Sequence, residues 1–200
     1  GSVGGIAIGK DLRTSDPDIY AIGDAAESTD WTTGLPRSMA LAGPAQLQGR
    51  IAAENIAGLE PGWNAHYEGT QGSAILRLWD TCVGMTGASS SLLNRSGRAF
   101  RSITVDAPAC ATYMSEATTL RLKLLFDLDG TVLGAQAAGK VGVDKRLDVV
   151  ATAMRFGAKV SDLENLELCY SPYHGTPRDA VNIAASKARG LLASERRGRT

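Results

Sequence analysis

The sequence predicts an α+β protein, an antiparallel sheet with helices on one face, preceded by an incomplete α/β segment. Three observations predict it. The alternation Leu120-Arg121-Leu122-Lys123-Leu124 suits a half-buried strand, and Asp127-Leu128-Asp129-Gly130-Thr131 after it carries the Asp-Gly signal of a hairpin. Strand-like runs are grouped ahead of the helical ones instead of alternating with them, which favours an antiparallel sheet over a parallel one. Residues 1–71 read differently, as a turn, a short apolar stretch and a helix, with no Gly-x-Gly-x-x-Gly fingerprint to complete a dinucleotide crevice.

Along the chain, Gly5 to Ile8 reads as a short strand, followed by a loop over Lys10 to Asp18. The turn signal Ser15-Asp16-Pro17-Asp18 runs into a predicted apolar strand, Ile19 to Ile22, that stops at Gly23-Asp24. Residues 25–37, rich in Thr, Ser, Asp and Gly, are expected to be a surface loop. Pro44 suits the first turn of a helix, where its missing N–H has no partner to lose, and that helix is expected over Pro44 to Ala57. Residues 58–72 read as a linker. Ala74 to Trp79 and Thr81 to Thr86 are expected to form one long or bulged strand, Ser89 to Ser96 a serine-capped helix, and Phe100 to Val105 a further strand. Val132 to Ala138 returns from the hairpin. From Asp144 to Phe156, Leu147, Val150, Ala151 and Met154 fall at helical spacing, with Gly157 as the stop. Ser161-Asp162-Leu163-Glu164 matches a capping box opening a short helix, and a last helix is expected from Arg178 to Leu192. The expected domains are therefore 1–71 and 72–193, with a disordered basic tail over 194–200.

The totals narrow the function classes. Lys+Arg and Asp+Glu balance at 21 each, so no global field draws the chain to nucleic acid or anionic lipid. No apolar run approaches the roughly 20 residues that span a bilayer. Three scattered cysteines, Cys82, Cys110 and Cys169, fit a reducing cytoplasm and small buried hydrophobes better than a disulfide framework, and no metal-ligand pattern stands out. The start Gly1-Ser2-Val3-Gly4-Gly5, with neither initiator Met nor signal peptide, suggests that the natural polypeptide begins elsewhere.

Three stretches carry candidate chemistry. A carboxylate at the end of a strand, as at Gly23-Asp24, can accept from ligand hydroxyls, although a simple turn aspartate has the same sequence. The helix after Pro44 repeats small residues, Ala45, Gly49, Ala52 and Ala53, allowing close approach to a sheet or to a flat ring. Tyr170-Ser171-Pro172-Tyr173-His174-Gly175-Thr176-Pro177-Arg178-Asp179 gathers phenols, an imidazole and a guanidinium on an extended loop. Such groups donate and shuttle protons; they also cover domain edges with wetted tips.

Thr14 to Asp24 resembles the second FAD-binding segment of the pyridine nucleotide–disulfide oxidoreductases. Leu41 to Ile56 is similar to their flavin-facing helix, and Gly69 to Asn182 to their C-terminal dimerisation domain. The single-cysteine branch, comprising coenzyme A disulfide reductases, NADH oxidases and peroxidases, is the nearest in pattern. The resemblance implies a flavoprotein-reductase C-terminal dimerisation domain, behind the end of an FAD-binding domain. It further implies FAD and NAD(P)H as cofactors of the parent enzyme, a homodimer, a small-molecule disulfide or persulfide as substrate, and a redox cysteine lying in none of the segments quoted. It assigns Gly23, Asp24, Leu41, Ala42 and Ala45 to the flavin, and Gln46 and Asn182 to the substrate. His174, Tyr113 and Tyr170 become catalytic candidates, the loop around them reaching the partner subunit's site. Tyr173, His174 and Arg178 depart from the branch's loop pattern, as Met114 departs from its tandem tyrosines, so the acceptor stays open between a disulfide and oxygen or peroxide. A non-catalytic assembly role for the loop also stays open.

Overall fold

The computed structural model describes residues 1–58 and 66–198. The chain divides into two compact units, Gly1–Gly72 and Ser73–Thr200.

In the first unit, β1 (Ile6–Ala7) pairs in parallel with β2 (Ala26–Thr29), which pairs antiparallel with β3 (Pro36–Ser38). The predicted loop over 25–37 is thus largely a hairpin. Its turn is organised by the buried Asp30, whose carboxylate accepts from the Thr32 and Thr33 N–H groups and pairs with Arg37 at 2.7 Å. Conversely, Ile19–Ile22 is not a strand. Tyr20 forms one isolated bridge to Arg13, while Ile19 and Ile22 are exposed and only Ala21 is buried between them. Apolar composition points to a core strand there, but among the described residues no neighbouring strand offers a ladder. Helix α1 (Ala42–Ile56) starts two residues before the predicted Pro44, which lies inside its first turn. It buries Gln48, Ile51 and Ala52, and its inner face joins Leu12 and Tyr67 in a small core. Of the predicted linker 58–72, residues 59–65 lie outside the described ones. Beyond them Tyr67 is buried and Thr70 bridges Asp30, so that stretch is part of the unit.

The second unit is an antiparallel sheet in the order β4 (Ala74–Leu78), β5 (Thr81–Gly87), β8 (Val132–Gly139), β7 (Thr119–Phe126), β6 (Arg101–Pro108). β4 and β5 are two strands of a hairpin and not one bulged strand, because the chain reverses at Trp79, whose φ of 52° no strand accommodates. The Asp127–Thr131 hairpin forms as predicted, closed by Asp127 N–H to Thr131 O at 2.8 Å and Gly130 N–H to Asp127 O at 3.0 Å. Helix α2 (Ser90–Ser96) takes its cap from Ser89 Oγ, which accepts from Leu92 N–H at 3.2 Å.

Helix α3 (Val143–Arg155) packs on β5 and β8, and α5 (Ala180–Arg197) on β6 and β7, on one side of the sheet. Leu122, Leu124, Phe126, Ala135, Val150, Ala184 and Ala185 close the core between these layers. Each large apolar side chain buried there is worth about 1.5–3 kcal/mol relative to exposure. The short helix α4 (Val160–Glu164) is capped two residues earlier than Ser161 predicts: Lys159 N–H donates to Asp162 Oδ2 at 2.7 Å. Of the tail predicted to be disordered over 194–200, residues 194–197 continue α5 instead, and residues 199–200 lie outside the described ones. Ser194 Oγ and Leu191 O, and Arg101 Nε with Glu195 at 2.6 Å, hold that last stretch. Among the described residues no helix is long and apolar enough to cross a membrane.

Candidate functional site

Each unit carries one cluster of candidate residues. In the first, Gly23 opens a 3-10 turn, Gly23–Ala25, with φ of 64°, a conformation that costs a residue with a Cβ roughly 1–2 kcal/mol. A Cβ there would come to 3.5 Å from that of Ala45, so the turn sits directly against the first turns of α1. Gln48 fixes the arrangement: its Oε1 accepts from Gly23 N–H at 2.7 Å, and its Nε2 donates to Ser28 Oγ at 3.0 Å. Asp24 and Ala42 are exposed beside this junction, Ala45 is half-buried, and Leu41 is the N-cap residue. No side chain caps α1, and Ala45 N–H already donates to Leu41 O at 3.2 Å. Gly23, Asp24, Leu41, Ala42 and Ala45 are thereby brought together, and Gln46 is exposed on the same helix. A shallow shelf of small residues, backbone donors at a helix start and one carboxylate is a donor set that fits a flat ring with an anionic edge and a polyhydroxy chain. The predicted strand-end carboxylate is absent as such. Asp24 lies in the 3-10 turn instead, because Ile19–Ile22 has no ladder to end.

In the second unit the structure brings Tyr113 and Tyr170 side by side. Ala111 N–H donates to Pro172 O at 2.9 Å, joining the turn that carries Tyr113 to the loop that carries Tyr170. Desolvation, then the neighbouring Tyr170 phenol, raise the Tyr113 phenol above its ordinary value; at neutral pH it is a protonated donor, as any phenol is. Tyr113 and Tyr173 are 74% and 70% exposed and Tyr170 48%, so all three rings face outward, where a further surface can meet them. His174, also exposed, turns back on its own loop. Its N–H donates to Ser171 O at 2.9 Å, and its Nδ1 lies 2.8 Å from Ser171 Oγ, which leaves Nε2 pointing away from that contact.

Asn182 does not belong to this surface. It is buried, its Oδ1 accepts from Asp179 N–H at 3.1 Å, and its Nδ2 donates to Leu163 O and Leu166 O at 3.0 Å. The amide is engaged in capping α5 and tethering the end of α4, away from the tyrosine surface. Cys110 is buried as expected, whereas Cys169 is exposed beside Tyr170.

Three supporting residues escaped the sequence reading. Gln48 falls on the buried face of α1 with Ile51 and Ala52, at the three- and four-residue spacing of a helix. A polar residue on such a stripe signals a buried hydrogen-bonding task. Arg146, four residues before Val150 on the buried stripe of α3, signals the same, and Lys145, the residue before it, reaches the Tyr170 loop through its Nζ.

Residues 78–180 match the model of the pyridine nucleotide-disulphide oxidoreductase dimerisation domain. The chain belongs to this family. It is 33% identical over 187 residues to the coenzyme A disulfide reductase of Staphylococcus aureus (strain bovine RF122 / ET3-1), covering 93% of this chain and 42% of that protein. Among solved structures, reduced CoADR-RHD of Bacillus anthracis superimposes with a TM-score of 0.91 at 37% identity, over 97% of this chain and 34% of that one. An NAD-dependent persulfide reductase from A. fulgidus does so with a TM-score of 0.90 at 31% identity, over 97% and 35%. The chain thus spans less than half the length of the relatives it matches. Tyr113, Tyr170 and His174 all fall inside the span matched to the family.

Proposed function

We propose that the chain serves as part of a homodimeric, FAD-dependent NAD(P)H:disulfide oxidoreductase that acts on coenzyme A disulfide or a related persulfide. The observation that carries this reading is the pairing of Tyr113 and Tyr170 on an outward-facing surface within the family span. A thiolate leaves a disulfide faster when a donor protonates or hydrogen-bonds it. Tyr113, kept neutral, donates to the departing sulfur; Tyr170 stands beside it as second donor, and His174, through Nε2, supplies or collects the proton. The redox cysteine is supplied from outside this chain's own site, by a second copy of the parent protein.

FAD, when bound, relays electrons from the nicotinamide to the cysteine. This chain's residues would hold it at the shelf of Gly23, Asp24, Leu41, Ala42 and Ala45, with Asp24 accepting from hydroxyls and the start of α1 facing the anionic edge. Gln46, exposed on α1, would touch substrate.

The test uses the full-length parent. Its NAD(P)H consumption should depend on added coenzyme A disulfide, and Tyr113→Phe or Tyr170→Phe should lower kcat by about 100-fold, the lower end of what positioned proton donors supply. Rapid consumption in air alone, indifferent to disulfide, would replace this reading with an oxidase using the same cysteine. Unchanged turnover in His174→Ala with the dimer intact would assign that loop to assembly.

A further inference from the structure

We propose that the first turn of α3, through Lys145 and Arg146, is the positioning device that sets the Tyr113 phenol against the Tyr170 phenol. The inference rests on the reading of those phenols as the proton donors, and concerns how the fold holds them.

Arg146 is buried, and its guanidinium reaches three separate segments. Nε lies 3.2 and 3.0 Å from the two Asp179 carboxylate oxygens, and Nη2 lies 2.8 Å from Oδ2, which fixes the N-cap of α5 where the Tyr170 loop ends. Nη2 also donates to Ala109 O at 3.1 Å, two residues before the turn that carries Tyr113. Nη1 donates to Gly142 O at 3.1 Å, closing the entry to its own helix. Planar, five-donor geometry lets one side chain do this where a lysine could not. Its neighbour completes the frame: Lys145 Nζ donates to Cys169 O at 3.2 Å and His174 O at 3.3 Å, one on each side of Tyr170 to Tyr173.

These bonds go to backbone carbonyls and to Asp179, so both residues act on the phenols through the two loops and not by touching substrate. The loops meet at the bond from Ala111 N–H to Pro172 O and at the contact between the two phenols themselves. Gly142 adds an independent lever. It holds a φ of 72°, and a Cβ on it would overlap Arg146 Nη1, so a side chain there must displace the guanidinium. Displacement of a reacting group by about 1 Å can cost about 100-fold in rate, so a frame of this kind bears on chemistry as well as on stability.

The decisive measurement is the titration of Tyr113 in the 200-residue chain by NMR of labelled tyrosine, assigned with Tyr113→Phe, together with exchange of the Ala111 amide. In the unaltered chain Tyr113 should titrate above an ordinary phenol. Lys145→Met, which removes two exposed-side bonds and leaves the core intact, should bring it back toward the ordinary value and speed Ala111 exchange; Lys145→Arg should restore both. Gly142→Ala should act like Lys145→Met through Arg146. Lowered stability in Lys145→Met and Gly142→Ala with the Tyr113 titration and Ala111 exchange unmoved would overturn the proposal, since a merely structural role predicts that result. In the full-length parent Lys145→Met should lower kcat by up to about 100-fold and leave the KM for NAD(P)H alone. A parent with no disulfide-dependent turnover at all would sink the functional reading, while the tyrosine titration would still decide the positioning.

Discussion

In the unit Gly1–Gly72 the candidate site is made of backbone and small side chains, Gly23, Ala42 and Ala45, steadied by the single amide of Gln48. In the unit Ser73–Thr200 it is made of long polar side chains, Tyr113, Tyr170 and His174, steadied from below by the buried pair Arg146–Asp179. The difference follows from the cores. The first unit packs Leu12, Ile51, Ala52 and Tyr67 behind its shelf, whereas the second has a five-stranded sheet and two long helices to set its loops upon. A shelf for a flat ligand needs absence of bulk, which small residues supply cheaply. A pair of donors needs fixed distances, which require a rigid frame and charged anchors whose burial is costly unless every hydrogen bond is made.

The comparison can be broken most severely at Asp179. Asp179→Ala leaves Arg146 buried without its carboxylate and removes the cap of α5, and should destabilise the second unit by about 3–5 kcal/mol. Urea unfolding followed by hydrogen exchange should show the loss in β7 and α5 and not in β2 or α1; uniform loss would mean that the two units do not have separate supports. Gln48→Ala should cost about 1–3 kcal/mol, because Gly23 N–H and Ser28 lose a buried partner. Faster exchange at Gly23 is the readout, and unchanged protection there would show that the shelf is held by other means.

The smallest effect separates surface from frame. Asp129 is drawn down to about 2, first by the Thr131 backbone N–H and then by Lys159, so its folded value lies below the ordinary carboxylate value. The stability it contributes is therefore present above about pH 4 and disappears as pH falls toward 2. Both side chains of that ion pair are largely solvated, which keeps the contribution below about 1 kcal/mol. Melting temperatures across this window should flatten in Asp129→Asn, and an identical slope would relieve Asp129 of any role.

Much of the second unit was legible because its signals are local. The alternation of β7, the Asp-Gly turn, the serine cap of α2 and the helical stripe of α3 each act within a few residues. The first unit was misread at Ile19–Ile22 and at 25–37, where apolar content and turn-rich composition pointed one way and the availability of a pairing strand decided the other. The candidate site divides likewise. Residue type alone makes Tyr113 and Tyr170 candidates for proton chemistry, but their adjacency is a contact across 57 positions of chain that no local pattern encodes. Asn182 matched a pattern by identity, yet its surroundings gave it a capping task.

The sequence by itself determined the family, the order of most elements and the residue types able to bind a flavin or give up a proton, since these depend on short-range periodicity and on functional groups. Tertiary structure alone decided which of those groups meet, which are consumed in capping, and that Arg146 and Gln48 hold the rest in place. The physical reason is that a buried polar side chain takes its meaning from partners far away in the chain, and only folding brings those partners within hydrogen-bonding distance.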